Sequence, residues 1–140
     1  MKNKKIISWG LLIAWAGLIF FFSSQQANSS SNLSNGIMDW VNAWLPFSLT
    51  SHQVRKIAHF TEFLILGVLS LNVVHFYKKI TVKELSFVLL LCAFYALSDE
   101  FHQFFVPGRG PQIKDAALDT FGSATGILSS YFLYFKKHSK

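Results

Sequence analysis

Ionisable residues recur at helical spacing inside stretches of sequence that are otherwise apolar. Arg55, His59 and Glu62 are separated by four and then three residues, so they share one face of a helix. Asp99 and His102 repeat the three-residue interval in a later apolar stretch. Ionisable groups inside apolar helices are costly, and in membrane proteins they mark functional sites by default. These residues are therefore the first candidates for chemistry.

Proton transfer is the first chemistry that this set of residues suggests, because a His–carboxylate pair can both donate and accept a proton. The predicted catalytic residues are His59, Glu62, Asp99, Glu100, His102 and Asp119. Two arginines, Arg55 and Arg109, could bind a phosphate or carboxylate through bidentate contacts. The predicted substrate-binding residues are Arg55, Gln103, Arg109, Asp115, Ser24 and Gln25.

Three other interpretations of the same residues stay open. A divalent metal could bind His59, Glu62, Asp99 and His102, because helical bundles build metal sites from carboxylate and His ligands one turn apart. A water bound to that metal would make the protein a metal-dependent membrane hydrolase. The polar groups could instead satisfy one another and only fix helix packing. Transport is disfavoured, because transporters place their polar groups near the midplane of the bilayer.

Four apolar stretches carry these residues: 6–22, 57–77, 85–105 and 116–135. Each approaches the roughly 20 residues that a helix needs to cross a bilayer. The chain has 140 residues, of which 51% are hydrophobic and 14% charged; soluble domains carry roughly 25% charged residues. We therefore predict an all-α fold: a single domain over 1–140, forming an integral membrane bundle of four transmembrane helices. A cleaved signal peptide is disfavoured, because the first apolar run is long and no A-x-A site follows.

The distribution of basic residues predicts the orientation of the spans. Nine of the 13 Lys and Arg residues fall on the N-terminus, the second loop and the C-terminus. The positive-inside rule then makes both termini cytoplasmic. Glu62, Asp99 and Asp119 would each lie about 5–9 Å below the outer membrane surface. The net charge of +6 is thus explained mainly by basic residues on the cytoplasmic side of the membrane. We therefore do not interpret it as a nucleic-acid-binding surface, and we expect no nucleic-acid partner. The single cysteine, Cys92, excludes an intrachain disulfide.

The first outer loop, 23–56, opens with a polar stretch typical of a flexible linker, SSQQANSSSNLSN. Apolar residues at helical spacing then predict a short interfacial helix between Ile37 and Pro46, carrying Trp40 and Trp44. This segment is either an anchor or a lid over the site. In the third loop, VPGRGP predicts a tight turn. Gly122 and Gly126 form a GxxxG pair, which predicts close helix packing.

Several blocks of the sequence resemble the VanZ-like family of membrane proteins. They are FSSQ at 22–25, RKIAHFTEF at 55–63, SDEFHQFFVPGR at 98–109, and Asp115 and Asp119 followed by Gly122 and Gly126. The family takes its name from an accessory protein of glycopeptide-resistance clusters that is linked to teicoplanin resistance. The resemblance implies a multi-pass protein of the bacterial cell membrane. It supplies no biochemical activity. Taken with the two arginines, which suit an anionic group, this setting favours a ligand such as an anionic lipid, a lipid-linked envelope precursor or an amphiphilic antibiotic.

Overall fold

A computed structural model describes residues 2–25, 27–44, 48–107 and 113–135 of the chain. Over these ranges all regular secondary structure is helical and there is no β-strand, which confirms the all-α prediction. A single π-helical turn, Tyr131–Phe135, directly continues the last α-helix. The α-helices are α1 (Lys2–Ser23), α2 (Ala27–Asn42), α3 (Ser51–His75), α4 (Val82–Gln103) and α5 (Ile113–Ser130).

Within the ranges that the structure describes, two helices are long and apolar enough to cross a membrane, namely Lys2–Ser23 and His52–His75. Only 17% of the first apolar segment and 28% of the second is buried inside the protein. Most residues of the first segment are exposed, as in a helix that contacts lipid, whereas most residues of the second are half-buried or buried against other helices. Both correspond to stretches that the sequence predicts as spans.

Helix α2 begins at Ala27, earlier than the helix predicted from Ile37. The polar residues predicted as a flexible linker are helical from Ala27 onward, so the linker prediction is wrong over that range. Helix α2 packs against α3, and tertiary contacts of this kind can outweigh weak intrinsic propensities. After α2 ends, the Asn42 side chain accepts from Leu49 N–H at 2.7 Å and donates to Leu49 C=O at 3.1 Å. The predicted stop, Pro46, lies outside the described residues.

Polar caps set the starts of α3 and α4. The Thr50 N–H donates to Gln53 Oε1 at 2.9 Å, and Gln53 N–H donates to Thr50 Oγ1 at 3.3 Å, which forms a capping box. This cap starts α3 before the apolar stretch begins. At α4, Glu84 accepts from both the hydroxyl and the N–H of Thr81. The hydrogen bond from the Thr81 side chain lowers the pKa of the Glu84 carboxyl.

Helix α3 is the centre of the fold and contacts all four other helices, with its largest interface on α5. There the two backbones touch. A Cβ added at Gly122 would collide with the Phe60 carbonyl, and one at Gly126 with the Leu64 carbonyl. The close packing predicted from the GxxxG pair is therefore confirmed. It turns the face of α5 that carries Asp119 toward α3.

Hydrogen bonds between helices join the remaining elements around an apolar core. The Tyr95 hydroxyl donates to the Ala16 carbonyl at 2.7 Å, which ties α4 to α1. The Trp15 indole donates to the Glu62 carbonyl at 2.9 Å and ties α1 to α3. The core side chains are Ile19, Phe63, Leu66, Leu71, Ile80, Val88, Cys92, Ala96 and Ile127.

Candidate functional site

The predicted polar residues converge at one end of the bundle. His59 and Asp119 lie in the early turns of α3 and α5, whereas Ser23 and Asp99 lie in the last turns of α1 and α4. These four residues belong to four different helices. They meet at one end of the bundle although they are far apart along the chain. Contacts between their side chains define the candidate site.

Asp99 is held by a hydrogen-bond network that joins α1 to α4. Its side chain is 3% exposed, and its Oδ2 accepts from Ser23 Oγ at 2.8 Å and from Gln103 Nε2 at 2.9 Å. Gln103 Nε2 also lies 3.4 Å from Ser23 Oγ. Asp99 Oδ1 is buried and accepts no hydrogen bond from the part of the chain that the structure describes. One carboxylate oxygen is thus held in place, and the other is left for a further partner.

His59 lies between two carboxylates that belong to different helices. Its Nδ1 is 4.0 Å from Glu62 Oε2 and 3.9 Å from Asp119 Oδ2. Both distances exceed a hydrogen bond, so these are charge contacts whose strength depends on His protonation. One ligand-type atom from each of His59, Asp99 and Asp119 lies within 4.8 Å of the others. We call these three residues the His–Asp–Asp cluster.

The His–Asp–Asp cluster differs from the metal ligands predicted from the sequence. His59 and Asp99 belong to both sets, but Asp119 joins the cluster in place of Glu62 and His102. Asp119 is fully buried, because the Gly122 and Gly126 contacts hold its face against α3. Spacing within a helix cannot reveal this choice of ligands, since it depends on how α3, α4 and α5 pack.

His102 makes a separate contact with the end of α1. Its ring stacks on Phe20 with the centroids 4.3 Å apart, and its Nε2 lies 3.0 Å from Ser24 Oγ. Ser24 Oγ also lies 2.6 Å from the Phe20 carbonyl, which can only accept. Because a hydroxyl has one proton, Ser24 donates to Phe20 and His102 donates from Nε2 to Ser24. This geometry assigns the Nε2-protonated tautomer or the imidazolium.

The other predicted site residues differ in their burial and contacts. Asp115 pairs with Lys56, with Nζ 2.8 Å from Oδ1, across the α3–α5 interface. Glu100 is buried beside Asp99, and Arg55 is half-buried on α3. Asp99, Glu100, Asp115 and Glu62 all act on Asp119 with unfavourable Coulomb interactions. Gln25 is half-buried just after α1, and Arg109 lies outside the described residues.

An apolar cavity of about 420 Å³ opens between α1, α2 and α3, next to the polar residues. Its walls include Trp15, Ile37, Val41 and Ile65. Glu62 also lines this cavity, while its carboxylate faces His59. The polar site and the apolar cavity are therefore adjacent and share one residue.

Two residues of the site received no role from the sequence. Ser23 is fully buried and donates to Asp99, and Lys56 forms the ion pair with Asp115. Ser23 follows Ile19 by four residues, and both are fully buried on the same face of α1. The sequence signal that could have identified Ser23 is its place in the FSSQ block at 22–25. Nothing in the spacing marks Lys56.

Comparison with known proteins gives a family for the chain. No curated protein and no solved structure matches it with significant similarity. The family model described as VanZ/LLP1 matches residues 8–134, which is nearly the whole chain and includes every residue of the His–Asp–Asp cluster. The chain therefore belongs to the VanZ/LLP1 family.

Proposed function

We propose that this protein crosses the bacterial cell membrane four times and binds an amphiphilic envelope component at a site in the outer leaflet. The lengths of α4 and α5 support four spans. Helix α4 has 22 residues, or about 33 Å, and the π-helical turn extends α5 to a similar length. Large apolar side chains are exposed along both helices, as lipid contact requires: Phe87, Leu90, Phe94, Leu97, Phe121, Leu128 and Phe132.

The end of the bundle opposite the polar site has features typical of a cytoplasmic membrane interface. The Trp9 indole donates to the Tyr77 hydroxyl at 3.0 Å, and Lys5 Nζ lies 4.5 Å from the centre of the Tyr77 ring. Aromatic belts and extended lysines are found at such interfaces. Together with the excess of basic residues near this end, they favour cytoplasmic termini and an outward-facing polar site.

The position of Glu62, between the apolar cavity and the polar site, is the observation that supports the binding proposal most directly. This residue lines the apolar cavity and also approaches His59 in the polar site. A ligand seated there would have its hydrocarbon part in the cavity and its polar part against the charged residues. This arrangement suits an anionic lipid, a lipid-linked envelope precursor or an amphiphilic antibiotic. Arg55 and Arg109 are proposed to hold the anionic group, and Asp99 and His102 to complete the polar wall.

Filling the cavity tests this proposal. Ala58 lines the cavity, whereas Ala117 is exposed on α5 away from it. We expect Ala58→Phe to weaken binding of phosphatidylglycerol to the purified protein by at least about tenfold. Ala117→Phe should have no such effect. Native mass spectrometry with phosphatidylglycerol, phosphatidylcholine and teicoplanin as separate probes measures this. Equal affinities of the two variants for all three probes would refute the proposal.

A purely structural role is the second candidate, and the bonds of Asp99 to Ser23 and Gln103 favour it. In that case Glu62→Gln should lower thermal stability in detergent in parallel with any loss of ligand. A site for an amphiphile predicts instead that Glu62→Gln weakens binding while the melting temperature stays near that of the wild type. Measuring both quantities on the same preparation separates the two roles.

A further inference from the structure

Three helices each contribute one metal-ligand type of side chain to a single point. His59 comes from α3, Asp99 from α4 and Asp119 from α5, and their ligand atoms lie within 4.8 Å of one another. In a tetrahedral zinc site, neighbouring ligand atoms are roughly 3.4 Å apart. His59 Nδ1 and Asp119 Oδ2 are already 3.9 Å apart. Small side-chain movements would therefore bring the three groups to bonding distance of one cation.

Unsatisfied oxygen atoms point to a missing positive partner at this place. Asp119 is fully buried, and neither of its carboxylate oxygens accepts a hydrogen bond from any residue in the described ranges. Asp99 Oδ1 is in the same situation. Buried carboxylate oxygens that accept no hydrogen bond are strongly disfavoured, and four neighbouring carboxylates add to the repulsion at Asp119. The nearby ammonium group of Lys56 is engaged by Asp115.

The hydrogen bonds of Asp99 resemble those that orient a metal-binding carboxylate. Ser23 and Gln103 hold Oδ2 and fix the orientation of the carboxyl group, so that Oδ1 remains available. Outer hydrogen bonds of this kind orient ligating carboxylates in metal sites. A network that served packing alone would have no reason to leave Asp99 Oδ1 and both oxygens of Asp119 without a hydrogen bond from the residues that the structure describes.

We propose that His59, Asp99 and Asp119 bind one divalent first-row cation of the Zn²⁺ or Mn²⁺ class. A nitrogen and two carboxylate oxygens suit these ions better than Mg²⁺ or Ca²⁺, which favour ligands made of oxygen alone. Three protein ligands leave at least one coordination position for water or for an oxygen of an anionic headgroup. The cation would also offset the acidic excess of the site. Cation binding does not require that an amphiphile binds.

Metal content and metal-dependent stability of the full chain test the proposal. Purified wild-type protein, stripped with chelator and dialysed against Zn²⁺ or Mn²⁺, should retain about one cation per chain by elemental analysis. Its melting temperature should rise with the added cation and fall back with chelator. Asp119→Asn and His59→Gln should abolish both effects. The matched controls are Asp39→Asn and His52→Gln, which change exposed residues of the same types and should keep both.

Two results would overturn the assignment. One is a wild-type protein that retains no cation and shows no cation-dependent melting shift. The other is Asp119→Asn and His59→Gln binding as much cation as their controls. Asp119→Asn and His59→Gln each keep a side chain of similar size, and their melting temperatures without metal report whether they fold. The two proposals can fail separately. If Ala58→Phe and Ala117→Phe bind all three probes equally while the cation still raises the melting temperature of the wild type, the amphiphile proposal is refuted and the cation proposal stands.

Discussion

At the scale of the residue, Asp99 shows how a buried carboxylate is held in position. Its Oδ2 takes two hydrogen bonds, and the shorter one comes from Ser23 on another helix. A hydrogen bond to a charged group contributes more than one between neutral groups, and its loss leaves a buried oxygen with less compensation. The orientation of Asp99, and with it the geometry of the His–Asp–Asp cluster, therefore depends on a serine.

We predict that Ser23→Ala lowers the free energy of unfolding in detergent by about 1–3 kcal/mol. Ser98→Ala is the matched control, because Ser98 is exposed and donates only to the Tyr95 carbonyl of its own helix. That control should change stability by less than about 0.5 kcal/mol. Denaturant titration followed by tryptophan fluorescence measures both. Equal stability of the two variants would mean that the Ser23 bond does not hold Asp99.

At the scale of the element, the α3–α5 interface positions Asp119. Lipid tails are as apolar as core side chains, so helices in a membrane associate through close packing and hydrogen bonds rather than hydrophobic burial. The α3–α5 pair uses both, since glycines let the backbones touch and Ser123 Oγ donates to the Phe63 carbonyl at 3.1 Å. The Lys56–Asp115 ion pair lies on the same interface.

We predict that Gly126→Ala destabilises the protein by about 1–3 kcal/mol, because the added methyl group forces α3 and α5 apart. Gly17→Ala makes the same chemical change on α1, where an added Cβ meets nothing within 4 Å. It should be neutral or stabilising by up to about 1 kcal/mol, since alanine is the better helix former. Thermal unfolding in detergent compares them. A loss that is no larger in Gly126→Ala than in Gly17→Ala would contradict the role of the contact.

At the scale of the whole molecule, the proposed four-span topology places the polar site and the basic segments on opposite sides of the membrane. Basic residues are retained on the cytoplasmic side, which gives the positive-inside rule its predictive value. Helix α2 then lies on the outer side, with Trp40 and Trp44 exposed as interfacial anchors would be. The α3–α4 connection lies on the inner side.

We predict that an impermeant thiol reagent labels Asp39→Cys in intact cells but labels Lys79→Cys only after permeabilisation. Both positions are exposed, so access to them reports the side of the membrane. The background is Cys92→Ser, which removes the buried native thiol. Labelling of Lys79→Cys in intact cells would reverse the orientation. Labelling of both positions from outside would contradict the single span, α3, that the proposed topology places between them.

The sequence alone was sufficient for the helical class, the family and the close α3–α5 packing. Apolar stretches of the right length, the RKIAHFTEF and SDEFHQFFVPGR blocks and the Gly122–Gly126 spacing are all local patterns. Local patterns report which residues share a helix face, because helical periodicity is a property of consecutive residues. They also identified His59, Asp99 and Asp119 as residues that could do chemistry.

Only the tertiary structure decided which of these residues meet. It grouped Asp119 with His59 and Asp99, set His102 apart against Ser24 and Phe20, and brought in Ser23 and Lys56. It also made α2 helical from Ala27, against the polar composition of that segment. These outcomes depend on the rotation and approach of whole helices against one another. The spacing of residues within one helix does not show how that helix packs against another. A contact across an interface joins residues from two segments that are separate in the sequence.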